Sequence, residues 1–326
     1  MEEELYGFYG RLKKGFPSQI IVDITENCNY ACRHCPHADF ARSSVYTNAF
    51  LSEELNQKMV DEVATTGHGL CTHIRYTANG EPLLHPQVFD MVTFAANYSG
   101  TMVSLTTNGS LLTSDNRKKL LDAGIGLIDI SLDANSEDTY KKIRINGNWE
   151  RVKGYVQALL EERKRGNYKT RIVVSFVKQP LNIHETEAFA RYWYAQGVDF
   201  VVLRELHTAA GANHEVLQID NRRTPCVYPW ERICLSPTGM LGFCPASWLG
   251  KTEICDYRAT TIKAVWQGDF MQDLRRRHLE GNFQHEHACF SCQDWSVVQW
   301  PDKGRGYGDL IEEFMSLKRR QGRDDE

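Results

Sequence analysis

Cys28-Asn29-Tyr30-Ala31-Cys32-Arg33-His34-Cys35 sets three cysteines at C-x3-C-x2-C spacing, just after the apolar run Ile20-Ile21-Val22-Asp23-Ile24. Three thiolates on one short loop can ligate three irons of a [4Fe–4S] cubane, leaving the fourth iron open to a small molecule. A structural zinc site asks for four ligands, usually as two separated pairs. His34 could complete such a set, but its place between two cysteines makes reaching the same ion awkward. The spacing points to an open-cornered iron–sulfur cluster, with zinc or unligated thiols as the alternatives.

Downstream of this loop the chain settles into a rhythm. Ser52 is placed to cap a helix carrying Leu55, Met59, Val60 and Val63, with Gly67 to stop it. Strands are expected at 72–77, 101–106, 126–132, 171–177 and 200–204, in addition to the run at 20–24. Helices are expected between them, the one before the last strand ended by Gly197. Strands alternating with helices imply βαβ units and a parallel sheet. Six strands are too few for a closed eight-stranded barrel, which leaves an open partial barrel or a doubly wound sheet. In either, ligands gather at the carboxyl ends of the strands, where the cysteine loop lies.

After about Leu206 the rhythm stops and cysteines become frequent from Cys226 onward. The reading is therefore an α/β partial (β/α)6 barrel over residues 1–206, a small cysteine-rich domain over 207–300, and a C-terminal helix and charged tail over 301–326. One short helix is expected around 2–12, and one long helix over 261–281 with Val265, Trp266, Phe270, Leu274 and Leu279 facing inward. With 42% hydrophobic residues in 326 the chain can bury a proper core. A net charge of −4 supplies no basic field for nucleic acid. No apolar run has membrane-spanning length and no leader pattern opens the chain, so no membrane partner and a cytoplasmic location are expected. Ten cysteines in that compartment suggest metal or redox chemistry rather than disulfides.

Cys28, Cys32 and Cys35 resemble the signature of the radical S-adenosylmethionine (SAM) superfamily. In that family SAM chelates the open iron through its amino and carboxylate groups and is cleaved to methionine and a 5′-deoxyadenosyl radical. The resemblance favours the partial barrel over the doubly wound sheet. Asn79-Gly80-Glu81-Pro82 resembles the family's Gly-Gly-Glu-Pro motif, which holds the SAM amino group; here asparagine stands first. A carboxylate suits an ammonium, and glycine admits close backbone approach. An ordinary Asn-Gly turn with a surface glutamate is the plainer reading of those four residues. Ser131-Leu132-Asp133 with Arg144 resembles the segment that contacts the ribose and carboxylate of SAM, and Asn108 ends the strand before it. The resemblance thus implies SAM contacts from Gly80, Glu81, Asn108, Ser131, Asp133 and Arg144, although turn chemistry alone explains Asn108 and Asp133.

Cys226, Cys244, Cys289 and Cys292 form a second constellation, enough thiolates for another [4Fe–4S] cluster or a zinc site. With Gly239 between the first two, the pattern resembles the start of the SPASM extension of radical SAM enzymes. No cysteine follows Cys292, so the shorter, single-cluster form called a twitch domain matches better. Its spacing is similar to that of an alcohol-oxidising radical SAM enzyme that acts on an aminocyclitol. The resemblance therefore implies two [4Fe–4S] clusters, SAM, and an electron donor such as flavodoxin or ferredoxin. Cys71 and Cys234 read as packed cysteines, and Cys255 as a candidate hydrogen donor of the kind some radical SAM epimerases use.

The expected reaction is hydrogen abstraction from a C–H bond, most simply oxidation of a small polar substrate such as a sugar, aminocyclitol or nucleoside. Peptide modification is the rival. Fewer than thirty residues precede Cys28, which tilts the expectation toward the small molecule. His85, His207 and His214 are candidates for the proton-accepting base by chemistry alone. A non-catalytic metal scaffold is the third reading, disfavoured by Glu81 and the open-cornered motif.

Overall fold

The computed structural model describes residues 12–296 except 13, 78, 210–222, 247 and 286. The expected helix at 2–12, the C-terminal helix and tail at 301–326, and His214 lie outside the described residues, Leu12 apart. In chain order the elements are β1 (Gln19–Val22), α1 (His37–Phe40), α2 (Glu53–Thr65), β2 (His73–Tyr76), α3 (Val88–Tyr98), β3 (Met102–Thr107) and α4 (Ser114–Asp122). Next come β4 (Leu127–Ser131), α5 (Glu137–Ile143), α6 (Trp149–Arg165), β5 (Arg171–Lys178), α7 (Thr186–Gln196) and β6 (Phe200–Glu205). Then follow α8 (Tyr228–Glu231), β7 (Arg232–Leu235), β8 (Met240–Gly242), β9 (Glu253–Asp256), α9 (Ile262–Gln267) and α10 (Asp269–Glu280). Local chemistry starts these helices where the sequence suggests. The hydroxyls of Ser52, Thr113, Ser136 and Thr261 each accept from a backbone N–H three residues on, satisfying a donor that the helix leaves open. Gly197 ends α7 at φ +91, a conformation that a side chain would disfavour.

The strands form one sheet in the order β6-β5-β4-β3-β2-β1-β7-β8-β9. β1 through β6 run parallel, as the alternation requires. The two faces of this sheet differ. Ile20, Val22, Ile74, Leu105, Ile130, Val174 and their neighbours join the main core with the helices. The opposite face holds a small apolar cluster of Met102, Leu127 and Val173 and, beside it, a polar layer. Gln19 pairs with His73 at 2.8 Å and His73 with Ser104 at 2.7 Å. Asp129, fully buried, takes Arg204 at 2.8 Å, Arg75 at 3.5 Å and the Ser175 hydroxyl. A doubly wound sheet covers both faces with helices and reads apolar on both. A satisfied polar layer belongs to the interior of an open barrel, so the partial-barrel expectation holds.

The sheet does not stop at residue 206. β7 pairs parallel with the free edge of β1, from Gln19 opposite Arg232 to Val22 opposite Leu235, and β8 and β9 add antiparallel beyond it. The expected boundary separates two compositions, while the sheet is continuous across it. The single helix expected over 261–281 is broken. Gly268 adopts an extended conformation (φ −72, ψ 165) between α9 and α10, and a Cβ there would sit 2.9 Å from the Ala264 carbonyl oxygen. The break resets the helical face: Val265, Trp266 and Leu274 are buried, but Phe270 is 44% and Leu279 68% exposed, with Met271, Arg275 and His278 turned inward instead. Among the described residues no helix is long and apolar enough to cross a membrane.

The C-terminal strand set is fastened to the barrel through α2. Glu62 Oε2 accepts from the Tyr257 hydroxyl at 2.8 Å and the Ile262 N–H at 2.9 Å, and Oε1 from the Lys263 N–H at 2.9 Å. One carboxylate thus satisfies the open N–H groups that begin α9. Glu62→Ala should lower the unfolding free energy by about 1–3 kcal/mol, the scale of charged hydrogen bonds left unmade. Glu161→Ala, on the exposed face of α6, should stay within about 0.5 kcal/mol. Urea midpoints at unchanged slope measure both.

Candidate active site

The cysteine loop leaves the carboxyl end of β1 and is held on both sides. Toward the chain start, Glu26 Oε2 accepts from the Thr47 N–H and hydroxyl and from the Ala49 N–H at 2.8–3.0 Å, closing the loop's base. Toward the barrel, the Ala31 and Arg33 N–H groups donate to the carbonyls of Ile145, just past α5, and Ile143, at its end, at 3.2 and 2.9 Å. Cys32 is buried, Cys28 and Cys35 half-buried. Each thiol is near another of the three: burial first, then neighbouring cysteines and Glu81, push Cys28 and Cys35 up to about 12. Thiols held this way await positive charge, which an iron cluster provides by binding them as thiolates. Among the described residues no three His, Cys, Asp or Glu side chains converge on a single-ion site. A cubane makes a different demand, one thiolate at each of three corners.

The Asn-Gly-Glu-Pro loop after β2 packs directly onto this loop. The Glu81 N–H donates to the Asn27 carbonyl at 2.7 Å, and a Cβ at Gly80 would lie 2.1 Å from the Thr25 carbonyl oxygen and 2.6 Å from that of Asn27. Only glycine fits there. The Glu81 carboxylate is buried and accepts from Thr107 Oγ1 at 2.6 Å, the Asn108 N–H at 2.7 Å and the Leu83 N–H at 3.1 Å. Burial raises its pKa while those donors oppose the rise. It is therefore no surface turn residue. Asn108 in turn donates to Asn29 Oδ1 at 2.8 Å, joining the end of β3 to the residue beside Cys28.

Asp133 and Arg144 meet as well. Arg144 Nη2 pairs with Asp133 Oδ2 at 2.5 Å, and Nη1 reaches Cys32 Sγ at 3.5 Å. Burial opposes the charge on Arg144, but Asp133 and Cys32 outweigh it and hold the guanidinium protonated. Arg144 Nε is buried with no partner, a donor left for a ligand oxygen. Asp133 sits at φ +59 and accepts from the Val177 N–H at 2.7 Å, so it also ties β4 to β5. Ser131 stands half-buried at the end of β4, opposite Ser175. Of the candidate bases, His85 is spent on structure: its ring nitrogens meet the Leu51 carbonyl at 2.9 Å and the Gln87 N–H at 3.1 Å. His207 accepts from the Ala209 N–H at 3.1 Å and lies 3.9 Å from Asp294.

The second set gathers too. Cys226 feels the charges of Cys292 and Cys289, and Cys244 those of Cys226 and Cys292. Burial raises all four thiols, Cys289 to about 12 and Cys292 to about 11. His278 is packed against them. Its Nδ1 accepts from the Cys226 N–H at 3.4 Å, which leaves Nε2–H facing Cys289 Sγ at 3.7 Å. Burial, then the charge of Arg223, pull this imidazole down to about 3 and keep it neutral. Arg223 also donates to the Cys289 carbonyl at 2.6 Å. Neither residue was legible as part of the set: Arg275-Arg276-Arg277-His278 reads in sequence as the solvated face of a helix, and Arg223 stands three residues before Cys226 with no motif to mark it. Cys71 and Cys234 are buried as expected, and Cys255 is half-buried on β9.

A cavity of about 320 Å³ is lined by Asn79 from the β2 loop, by Glu26 at the base of the cysteine loop and by Cys244 from the second set. Cys234 lines it; Cys255 is not among the described residues that do.

The Radical SAM superfamily model matches residues 22–190, more than half of the 326 residues, and the chain belongs to that superfamily. Membership brings a [4Fe–4S] cluster and SAM, for which the three-thiol loop and the unpartnered Arg144 donor are suited. The AdoMet-dependent heme synthase of Methanosarcina barkeri is 33% identical over 144 residues, 44% of this chain and 39% of that protein. The chain thus matches about two fifths of the length of this relative and of a GTP 3′,8-cyclase from Microcystis aeruginosa. A longer match, 26% identical over 266 residues, covers 79% of the chain and 71% of the tungsten-containing aldehyde ferredoxin oxidoreductase cofactor-modifying protein of Pyrococcus furiosus. Among solved structures, BtrN with AdoMet and 2-DOIA superposes with a TM-score of 0.58 at 16% identity, covering 86% of this chain and 95% of that one. SuiB of Streptococcus suis bound to its precursor peptide SuiA gives 0.66 at 12% identity, covering 92% and 74%. At such identities these two share the fold.

Gly80→Ala tests the loop contact. The added methyl must displace the Glu81 loop from the cysteine loop, so SAM affinity should fall at least about tenfold, or ~1.4 kcal/mol. Iron content should stay at the wild-type level, since no cysteine is touched. Equilibrium dialysis with SAM on reconstituted protein reads the first and iron assay the second.

Proposed function

We propose that this protein oxidises a small polar substrate by hydrogen abstraction from a C–H bond, with residues 207–300 forming a twitch-like unit that carries an auxiliary [4Fe–4S] cluster. The carrying observation is the cavity whose wall runs from Asn79, beside Gly80 and Glu81, to Cys244 of the second cysteine set. A substrate held there would touch the loop that carries Glu81 on one side and a thiol of the second set on the other. Cys28, Cys32 and Cys35 would hold the first cluster and Cys226, Cys244, Cys289 and Cys292 the second. In the SAM site, Glu81 would accept from the ammonium through the capacity left on Oε2, and Arg144 would donate to the carboxylate through Nε. Asn108, Ser131 and Asp133 complete that site at the ends of β3 and β4. Bound there, the cofactors supply a hydrogen-abstracting radical and an acceptor for the electron left on the substrate. The chain excludes water around the buried Glu81, Asp133 and Arg144. Reduction of the first cluster calls for an external donor such as flavodoxin or ferredoxin.

A second reading, hydrogen return to the substrate radical, has one observation in its favour: a thiol, that of Cys234, faces the cavity. Peptide modification, as the pairing of SuiB with a precursor peptide suggests, remains the rival substrate class.

Anaerobic reconstitution should give about eight irons per chain, falling to about four when Cys226 and Cys244 are both replaced by alanine. That variant should still form 5′-deoxyadenosine with dithionite but no oxidised product. Zinc at the second site in protein purified without oxygen would overturn the auxiliary cluster. Oxidation predicts a product two mass units lighter than the substrate. A product of unchanged mass carrying one solvent deuterium, lost in Cys234→Ala or Cys255→Ala, would replace oxidation with hydrogen return.

A further inference from the structure

The charge and polarity of the cavity wall restrict what can enter. Asp23, Glu26 and Glu253 all line it, and no lysine or arginine does among the described residues. Glu26 is already engaged, its Oε2 held by three donors of the 47–49 segment. Asp23 is not. It is 6% exposed at the carboxyl end of β1, and its Oδ1 is buried with no partner. Asn79 Oδ1, on the same cavity, is likewise buried and unpartnered. A buried acceptor without a donor is unfavourable, and a buried carboxylate without a cation more so. Burial first, with a smaller push from the Glu26 charge, holds the Asp23 carboxyl well above its ordinary range against the opposing backbone donors of Asn79, Gly80 and Thr25. An entering cation would relieve both causes at once. A divalent metal does not suit the place, since these side chains do not converge on a single-ion site. The hydroxyls of Ser236 and Thr238 and the apolar side chains of Leu235 and Met240 complete the wall. Its volume sits at the small end of ligand pockets, roughly 300–1,000 Å³.

We propose that this cavity binds a small polyhydroxylated primary amine, with the ammonium donating to Asp23 Oδ1 and Asn79 Oδ1. The hydroxyls face Ser236 and Thr238, and the carbon skeleton rests on Leu235 and Met240. The assignment rests on reading the cavity as the substrate site, and it sets phosphorylated and carboxylated substrates aside: their charge would meet three carboxylates and no base.

The test is a binding comparison without turnover, on the full chain reconstituted with iron and sulfide and saturated with SAM. Three amines, glucosamine, 2-deoxystreptamine and serinol, are titrated calorimetrically beside glucose, myo-inositol and glycerol, their amine-free counterparts, and beside glucose 6-phosphate. At least one amine should bind ten-fold or more tightly than its counterpart, and glucose 6-phosphate should bind no better than glucose. Asp23→Asn should erase the amine preference, while Glu161→Gln on the exposed face of α6 should preserve it. Should Asp23→Asn fail to retain iron, Glu253→Gln on the same wall serves in its place, with a reduced but measurable loss of preference. The proposal is overturned if no amine outbinds its counterpart, if glucose 6-phosphate binds best, or if the tripeptide Gly-Lys-Gly outbinds every small amine. Iron content and 5′-deoxyadenosine formation are measured on the same samples, so loss of the amine preference is separable from loss of the cluster or of SAM cleavage.

Discussion

The approach of the Gly80–Glu81 loop to the Thr25 and Asn27 carbonyls is the contact on which the site depends. It brings the end of β2 within backbone hydrogen-bonding distance of the cysteine loop that leaves β1. Glu81 then extends the tie to β3 through Thr107 and Asn108, and Asn108 returns it to Asn29 next to Cys28. Three strand ends are thereby locked around one buried carboxylate. The arrangement is costly in isolation, because burying a charge without partners is unfavourable; three donors offset that cost. What such a node provides is position. The residues expected to contact SAM are fixed relative to the cysteine loop before any ligand enters, as a preorganised site requires.

Asp133 and Arg144 do the same on the other flank. Their ion pair is almost wholly shielded from solvent and touches Cys32, so the cysteine loop is clamped between a carboxylate node and a guanidinium node. The polar layer on the inner face of the sheet continues this pattern down the barrel, where Asp129 is shared by two arginines and Ser175. A buried polar layer with its groups paired rigidifies rather than loosens the interior.

Much of this was legible in the residues because it is local. The cysteine spacing, the capping hydroxyl of Ser52, and the alternation of strand and helix each depend on neighbours a few positions apart. The six parallel strands followed directly. What escaped was set by distant pairing or by a single torsion. Nothing in Arg232–Leu235 announces that it will pair with β1, because strand partners are chosen by the assembled sheet. Gly268 reads as a tolerated glycine in a helix, and only its extended backbone shows that Phe270 and Leu279 turn outward. Asp23 reads as one polar residue in a buried strand. Its unpartnered oxygen is visible only once β7 closes over it. The motifs single out Glu81 and Asp133, but nothing in the sequence names the donors that surround their buried carboxylates.

The junction of β7 with β1 bears on how the two cysteine sets are spaced. The same strand delivers the first cysteine loop at its end and carries, along its edge, the ladder onto which the second cysteine set is built. The place of Cys244, two residues past β8, relative to the first loop is therefore ruled by the rungs from Gln19–Arg232 to Val22–Leu235 and by the β7–β8 pairing. Backbone rungs carry no side-chain identity, so a separation measured out by hydrogen-bonded strands survives substitution along either strand.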